Sequence, residues 1–389
     1  MAATSNSVLV APCCLNLQKE HNMSETVNAV RTAPAEPPLG TVPAVLVRKD
    51  AGGTVTVEPG TAPVTAPKPT ELLVRPAYVG VCGTDIEILH GSMPETFKIN
   101  YPHVLGHEWS GVVVEAGADV EGFHPGDRVL GHGHLGGNDW FGVTHDGAAA
   151  ELFTVPADMC FHIPDEVDML TAAVIEPFAC VLNGLKKIGG ISAADTVHVH
   201  GLGAIGLNAV LQAVTAGAEV VVFDPSPLRR ETAMKLGATA AVNPLENPDT
   251  TAAAAAATGR PFADVVIEAS GNSAAQAAAL ESADHNGRVL LMGVSTPKFA
   301  PARLGLVQER NLTITSSTGA PVAVWPAAIR YVANTRLNLA EIVSTVVPFS
   351  RGDEALQRAQ DSSRETKVML APDSTHSDNV PSSSAHKAN

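Results

Sequence analysis

Thr196-Val-His-Val-His-Gly-Leu-Gly-Ala-Ile-Gly206 is the stretch that decides the fold. Its first five residues read as a short strand, and Gly201, Gly203 and Gly206 let the chain turn tightly as an apolar helix begins with Ala204 and Ile205. Glycines at that spacing bring backbone N–H groups and a helix N-terminus against a pyrophosphate, the signature of a dinucleotide site. The next strand, Glu219 to Phe223, is followed by Asp224, an acid placed to accept hydrogen bonds from an adenosine ribose. Asp224 also repels a 2′-phosphate, so NAD is expected rather than NADP. Arg229 and Arg230 weigh the other way, because an arginine in this neighbourhood can receive that phosphate.

Outward from this loop, strands alternate with helical stretches over residues 188–324. Thr196 to His200, Glu219 to Phe223, Ala240 to Asn243, Asp264 to Glu268, Arg288 to Met292 and Leu312 to Ser316 are predicted as six parallel strands of a doubly wound sheet. The run Ala252 to Ala257 is predicted as one of its helices, since alanine is the best helix former. Residues 41–187 read instead as short strands broken by Gly and Pro: Ala44 to Arg48, Thr54 to Glu58, Glu71 to Val79, Ser110 to Ala116, Arg128 to Leu130 and Ala148 to Val155. The chain is therefore an α/β protein of two domains. Residues 325–371, with one helical stretch and a strand-like Val343 to Pro348, are expected to return to the first domain. Residues 1–40 and 372–389, poor in large apolar side chains, are expected to be disordered, with Met23 as an alternative start and no signal peptide.

Composition narrows the function. A net charge of -15 over 389 residues argues against a nucleic-acid partner, which needs a surplus of Lys and Arg. Five scattered cysteines do not make a disulfide framework, and the longest nearly uncharged run, Gly201 to Ala218, is the nucleotide loop and helix rather than a membrane span. A soluble, cytoplasmic protein is expected. Its expected partners are a small-molecule alcohol and further copies of the same chain, with no nucleic acid and no membrane.

Val104-Leu-Gly-His-Glu-Trp-Ser-Gly111 places two potential metal ligands side by side, and Cys82 lies twenty-five residues before His107 inside Gly80-Val-Cys-Gly-Thr-Asp85. A thiolate, an imidazole and a carboxylate form a typical mixed zinc set. Together with Pro125-Gly-Asp-Arg-Val129, Ile175-Glu-Pro177 and the glycine loop, these segments resemble the zinc-dependent medium-chain alcohol dehydrogenases and reductases over roughly residues 42–371. That resemblance implies a GroES-like β-barrel catalytic domain, a Rossmann domain and a site in the cleft between them. Glu176-Pro177 is similar to the sorbitol, threonine and glucose dehydrogenase branch, which implies a polyol, sugar, cyclitol or amino alcohol with a secondary hydroxyl.

By the same resemblance, Cys82 and His107 match the two constant zinc ligands, and Glu108 and Glu176 share the remaining coordination, either one being the direct ligand. Thr84 matches the hydroxyl that accepts the substrate proton, and Asp85 would orient His107. Glu87 stands where many relatives have a relay histidine. Cys180, one helical turn past Glu176, is read as core packing. The chain has no cysteine between Cys82 and Cys160, so the family's four-cysteine zinc lobe is absent or reduced, and about one zinc per chain is expected. The segment Gly131 to His145 carries His132, His134 and His145, expected as solvated or substrate-facing rather than as a metal site. His198 and His200 are expected to be hydrogen-bonded interior residues. Two other readings stay open: a zinc-free quinone or enoyl reductase of the same superfamily, and a non-catalytic NAD-binding protein.

Overall fold

The computed structural model describes residues 39–294 and 300–376. The expectations for the N-terminal extension, Met23 and the last thirteen residues lie outside them.

The strands are β1 (Gly40–Lys49), β2 (Val55–Val64), β3 (Glu71–Gly80), β4 (His103–Val104), β5 (Glu108–Ala116), β6 (Arg128–Gly131), β7 (His134–Gly136), β8 (Asp139–Trp140), β9 (Phe153–Pro156) and β10 (Cys160–His162) in the first half. They are followed by β11 (Thr196–His200), β12 (Glu219–Phe223), β13 (Ala240–Val242), β14 (Ala263–Glu268), β15 (Ala283–Leu291) and β16 (Thr313–Ser316), then β17 (Thr345–Pro348) and β18 (Val368–Ala371).

The six strands of the second group form one parallel sheet in the order β13-β12-β11-β14-β15-β16. The order reverses at β11, which places the Gly201–Gly206 loop at the switch point where such sheets bind ligands. Apolar residues on β11, β12 and β14 are wholly buried because helices cover both faces. The alanine run is indeed helical, within Thr250–Thr258.

In the first half, β10-β6-β5-β3-β18-β17 form one sheet, with β9 also paired to β3, and β2-β1-β4 form another. Trp109 anchors this core, its ring 4.9 Å from Phe153 and 6.4 Å from Phe141. Val343 to Pro348 returns to this sheet as expected. It is joined there by Val368–Ala371, a strand not anticipated from sequence, paired with both β17 and β3. The expected strand at Ala148 to Val155 is shorter, because Ala148 and Ala149 donate instead to the Gly106 and Leu105 carbonyls. A second core joins Leu130 and Ile163 of the first half to Phe178, Val197, Val220 and Trp325. Each such fully buried side chain contributes about 1.5–3 kcal/mol, so the two halves share much of their stabilisation.

Candidate active site

Two adjacent strand ends build the site. Glu108 opens β5 directly opposite Gly80, the last residue of β3, and His107 precedes it by one position. A Cβ on Gly80 would come within 2.1 Å of Glu108 Oε2, so the glycine is what lets the carboxylate turn inward. Two residues beyond Gly80, Cys82 caps helix α1 (Gly83–His90). Asp85 Oδ2 accepts the Cys82 N–H at 2.8 Å, which fixes the helix start and the direction of the thiol. The ligand atoms of Cys82, His107 and Glu108 all lie within 4.8 Å of one another. Soft sulfur, imidazole and carboxylate at that separation fit a zinc ion. Among the described residues this is the one such trio.

The electrostatics agree with a cation-binding centre. Burial alone would pull the His107 pKa down, but Cys82, Asp85 and Glu176 around it hold it well above the usual 6.5. His107 Nδ1 and Asp85 Oδ1 are both buried without a hydrogen-bond partner and face each other at 3.9 Å. Burial raises the Asp85 pKa, opposed by His107. Thr84 is half-buried, with its hydroxyl oxygen 3.9 Å from Cys82 Sγ.

Glu176 sits on α3, after α2 (Met169–Ala173) and spanning Ile175–Lys187. It stands outside the close trio, half-buried, and burial together with Glu108 pushes its pKa up to about 7. Cys180, expected as mere core packing, donates from Sγ to Glu176 Oε1 at 3.4 Å. The i, i+4 spacing on one helix face is the signal that makes this contact legible.

Lys367 escaped the sequence reading. It is buried immediately before β18, in ion-pair contact with Glu108 Oε2, and it donates to the Val81 carbonyl at 2.8 Å. Burial lowers its pKa, but Glu108 and Cys82 more than offset this and leave it raised. Its only sequence signal is a cation abutting the apolar Val368-Met-Leu-Ala371.

The glycine loop opens α4 (Ala204–Thr215), whose N-cap is Gly203 and which has no capping side chain. A Cβ on Gly206 would fall 1.8 Å from the Gly201 carbonyl oxygen, whereas one on Gly203 would meet nothing within 4 Å. The loop is thus tight on its inner side, and its outer side leaves free N–H groups in open space for a pyrophosphate. Asp224 is buried, with Oδ2 accepting the Leu202 N–H at 2.7 Å and Oδ1 the Ser226 N–H at 2.8 Å. Arg229, on α5 (Pro227–Lys235), donates from Nε to the Glu365 carbonyl, and burial lowers its pKa against the opposing pull of Asp224. Arg230 donates to the Asp224 and Pro225 carbonyls.

The three loop histidines occupy different surroundings. His132 is buried between Phe161 and Trp325, His134 packs on Trp140, and His145 faces Asp139. His200 is hydrogen-bonded to Ser282 and stacked on Phe223, as expected of an interior residue. His198 departs from the expectation: both its ring nitrogens lack partners, because Phe223 packs edge-on against the ring. A cavity of about 520 Å³ beside β2 and residues 145–154 contains none of the metal-ligand candidates.

A nucleotide-binding parallel sheet joined to a β-rich half that gathers a Cys-His-Glu trio defines a two-domain dehydrogenase of the metal-dependent kind. Residues 68–165 match the alcohol dehydrogenase GroES-like domain, and residues 204–334 match the zinc-binding dehydrogenase family. The chain is 30% identical over 333 residues to L-threonine 3-dehydrogenase of Pyrococcus abyssi, covering 81% of this chain and 94% of that protein. It is 29% identical over 336 residues to sorbitol dehydrogenase of Gallus gallus, covering 80% and 92%. A solved structure from Sinorhizobium meliloti 1021, described as a zinc-binding dehydrogenase and bound to NADP, superposes with a TM-score of 0.77 at 29% identity, covering 86% of this chain and all of that one. The chain belongs to the zinc-dependent medium-chain alcohol dehydrogenase family, with a GroES-like catalytic domain and a Rossmann-type nucleotide domain. It is accordingly an oxidoreductase of alcohol CH–OH groups that uses zinc and a nicotinamide cofactor. Among the described residues no helix is long and apolar enough to cross a membrane.

Proposed function

We propose that this enzyme transfers hydride between NAD and the secondary hydroxyl of a polyol, sugar, cyclitol or amino alcohol. The observation that carries the reading is the clustering of Cys82, His107 and Glu108 within 4.8 Å, with Glu176 close enough to act on both His107 and Glu108. The names of the relatives, which act on sorbitol and threonine, support the substrate class. When bound, zinc supplies Lewis acidity at the alcohol oxygen and the nicotinamide ring supplies the hydride acceptor.

The chain's own residues do the rest. Cys82 and His107 would hold the metal; the His107 Nδ1 side is turned to Asp85, which leaves Nε2 as the nitrogen available for coordination. Glu108 and Glu176 share the remaining coordination, and Lys367 holds one Glu108 oxygen. Thr84, half-buried at the start of α1, receives the substrate proton. Gly201, Gly203, Ala204, Ile205 and Gly206 cradle the pyrophosphate, and Asp224 and Arg229 contact the adenosine ribose. The buried, negatively charged position of Asp224 favours NAD over NADP.

The scarcity of cysteine fits a reducing cytoplasm. The exposed Ile314 on the edge strand β16 fits contact with a second copy of the chain. Following NADH absorbance across a panel of polyols, sugars, cyclitols and amino alcohols tests the reading. Turnover of secondary alcohols that disappears on zinc chelation is expected; chelator-insensitive reduction of quinones or enones would replace it with the zinc-free alternative.

A further inference from the structure

The Gly131–His145 segment does more than stand in for a missing lobe. Its hairpin, β7 paired with β8, ends at Trp140. A Cβ placed on Gly133 would lie 3.5 Å from both His107 Cβ and Trp140 Cε3, so the indole and the metal-site histidine flank the same glycine. On the same six-membered ring, Trp140 Cη2 is 3.5 Å from where a Cβ on Gly319 would stand. Gly319 lies just past the carboxyl end of β16, where ligands of such sheets bind, and its carbonyl accepts from Asn183 Nδ2 at 3.0 Å. Asn183 belongs to the same helix as Glu176. The ring therefore lies between the glycine beside His107 and the carboxyl end of the parallel sheet.

Trp140 is also held in place. Its N–H donates to Thr144 Oγ1 at 2.8 Å, its carbonyl accepts the N–H groups of Val143, Thr144 and His145, and His134 packs on it at 4.8 Å between ring centroids. Of the three tryptophans, Trp109 and Trp325 are buried and Trp140 alone is half-exposed. A half-exposed indole on an anchored backbone, packed on one side by His134, offers an apolar wall with a defined shape.

We infer that Trp140 is a specificity-determining residue whose indole packs against the C–H face of an extended hydroxylated substrate beside His107. The inference rests on the dehydrogenase reading above. An extended polyol or cyclitol reaches from the metal to this ring, whereas a small alcohol such as 2-propanol does not. Losing the contact therefore penalises the large substrate selectively, and chiefly in KM.

The test compares kcat/KM for the best polyol or cyclitol with that for 2-propanol in the zinc-loaded full chain, Trp140→Ala and Trp140→Phe. Trp140→Ala is expected to lower the ratio about tenfold through KM, and Trp140→Phe to recover most of it. Zinc content and NADH binding, measured separately, are expected to stay at the unaltered level. A ratio unchanged in Trp140→Ala, or parallel losses on both substrates together with zinc, would overturn the role of Trp140 while leaving the dehydrogenase reading intact. Failure of the unaltered, NADH-binding protein to oxidise any alcohol would instead remove both.

Discussion

Lys367 and Glu108 form an ion pair whose side chains are only 2% and 1% exposed, and the same ammonium donates to the Val81 carbonyl. Removing one member of such a pair leaves a buried charge uncompensated and costs about 3–5 kcal/mol. Lys367→Met is therefore expected to destabilise the protein by that order and to weaken zinc retention, since Glu108 would lose the cation that holds its carboxylate in place. Adding Glu108→Gln should restore a large part of the stability without restoring activity. Urea midpoints and bound zinc measure the two effects. Equal stability of the Lys367→Met single variant and the unaltered chain would show that the pair is energetically idle.

The contrast between Lys367 and its neighbours explains what the sequence discloses. Cys82, His107 and Glu108 stand out because each is fixed by short-range chemistry: a thiol at a helix start, and a His-Glu pair at a strand start next to glycines. The glycine loop and Asp224 are likewise tied to one strand-turn-helix unit. Lys367 gains its role only because β18 inserts between β17, its near neighbour in sequence, and β3, far back in the chain, a long-range pairing that no local pattern announces. The four-residue Val368–Ala371 is too short to read as a strand by alternation. His198 is a similar case, for it is the neighbouring strand that brings Phe223 against its ring and leaves its nitrogens unbonded.

The proposed preference for NAD rests on Asp224. Replacing its carboxylate by Asp224→Ala removes the like charge facing a 2′-phosphate and is expected to raise the NADP-to-NAD ratio of kcat/KM by about tenfold. Because Asp224 also accepts the Leu202 and Ser226 N–H groups, some loss of NADH affinity should accompany the change. Equal or better efficiency with NADP in the unaltered enzyme would sink the NAD preference.

The proposed metal and dinucleotide sites lie in different halves of the molecule, so their losses should separate. Cys82→Ala and His107→Ala are expected to abolish turnover and lower zinc well below roughly one per chain, while NADH binding persists. Thr84→Ala should retain zinc and slow turnover, because it removes a hydroxyl rather than a ligand. Elemental analysis beside NADH titration decides each case. A second tight zinc, lost in a His132→Ala, His134→Ala pair, would show that these side chains rearrange into a metal site.

Two buried histidines give the fold a predictable weakness in acid. Burial pushes the His198 pKa from the ordinary 6.5 down to about 4, and burial together with His198 pushes His200 down to about 3. Below about pH 6.5 the unfolded chain therefore takes up two protons that the native chain refuses. Stability consequently rises with pH across this window and falls as pH drops from about 6.5 towards 4. Each histidine contributes a slope of up to about 1.4 kcal/mol per pH unit, so the pair approaches about 2.7. Neutral apolar replacement of His198, which makes no hydrogen bond, should remove its share at little structural expense. Urea denaturation between about pH 5 and 7, a range that spans the onset and most of the steep region below it, should show a flatter dependence for His198→Val than for the unaltered chain, with the zinc contribution common to both. Parallel slopes for the two proteins would mean that His198 is already protonated in the native state.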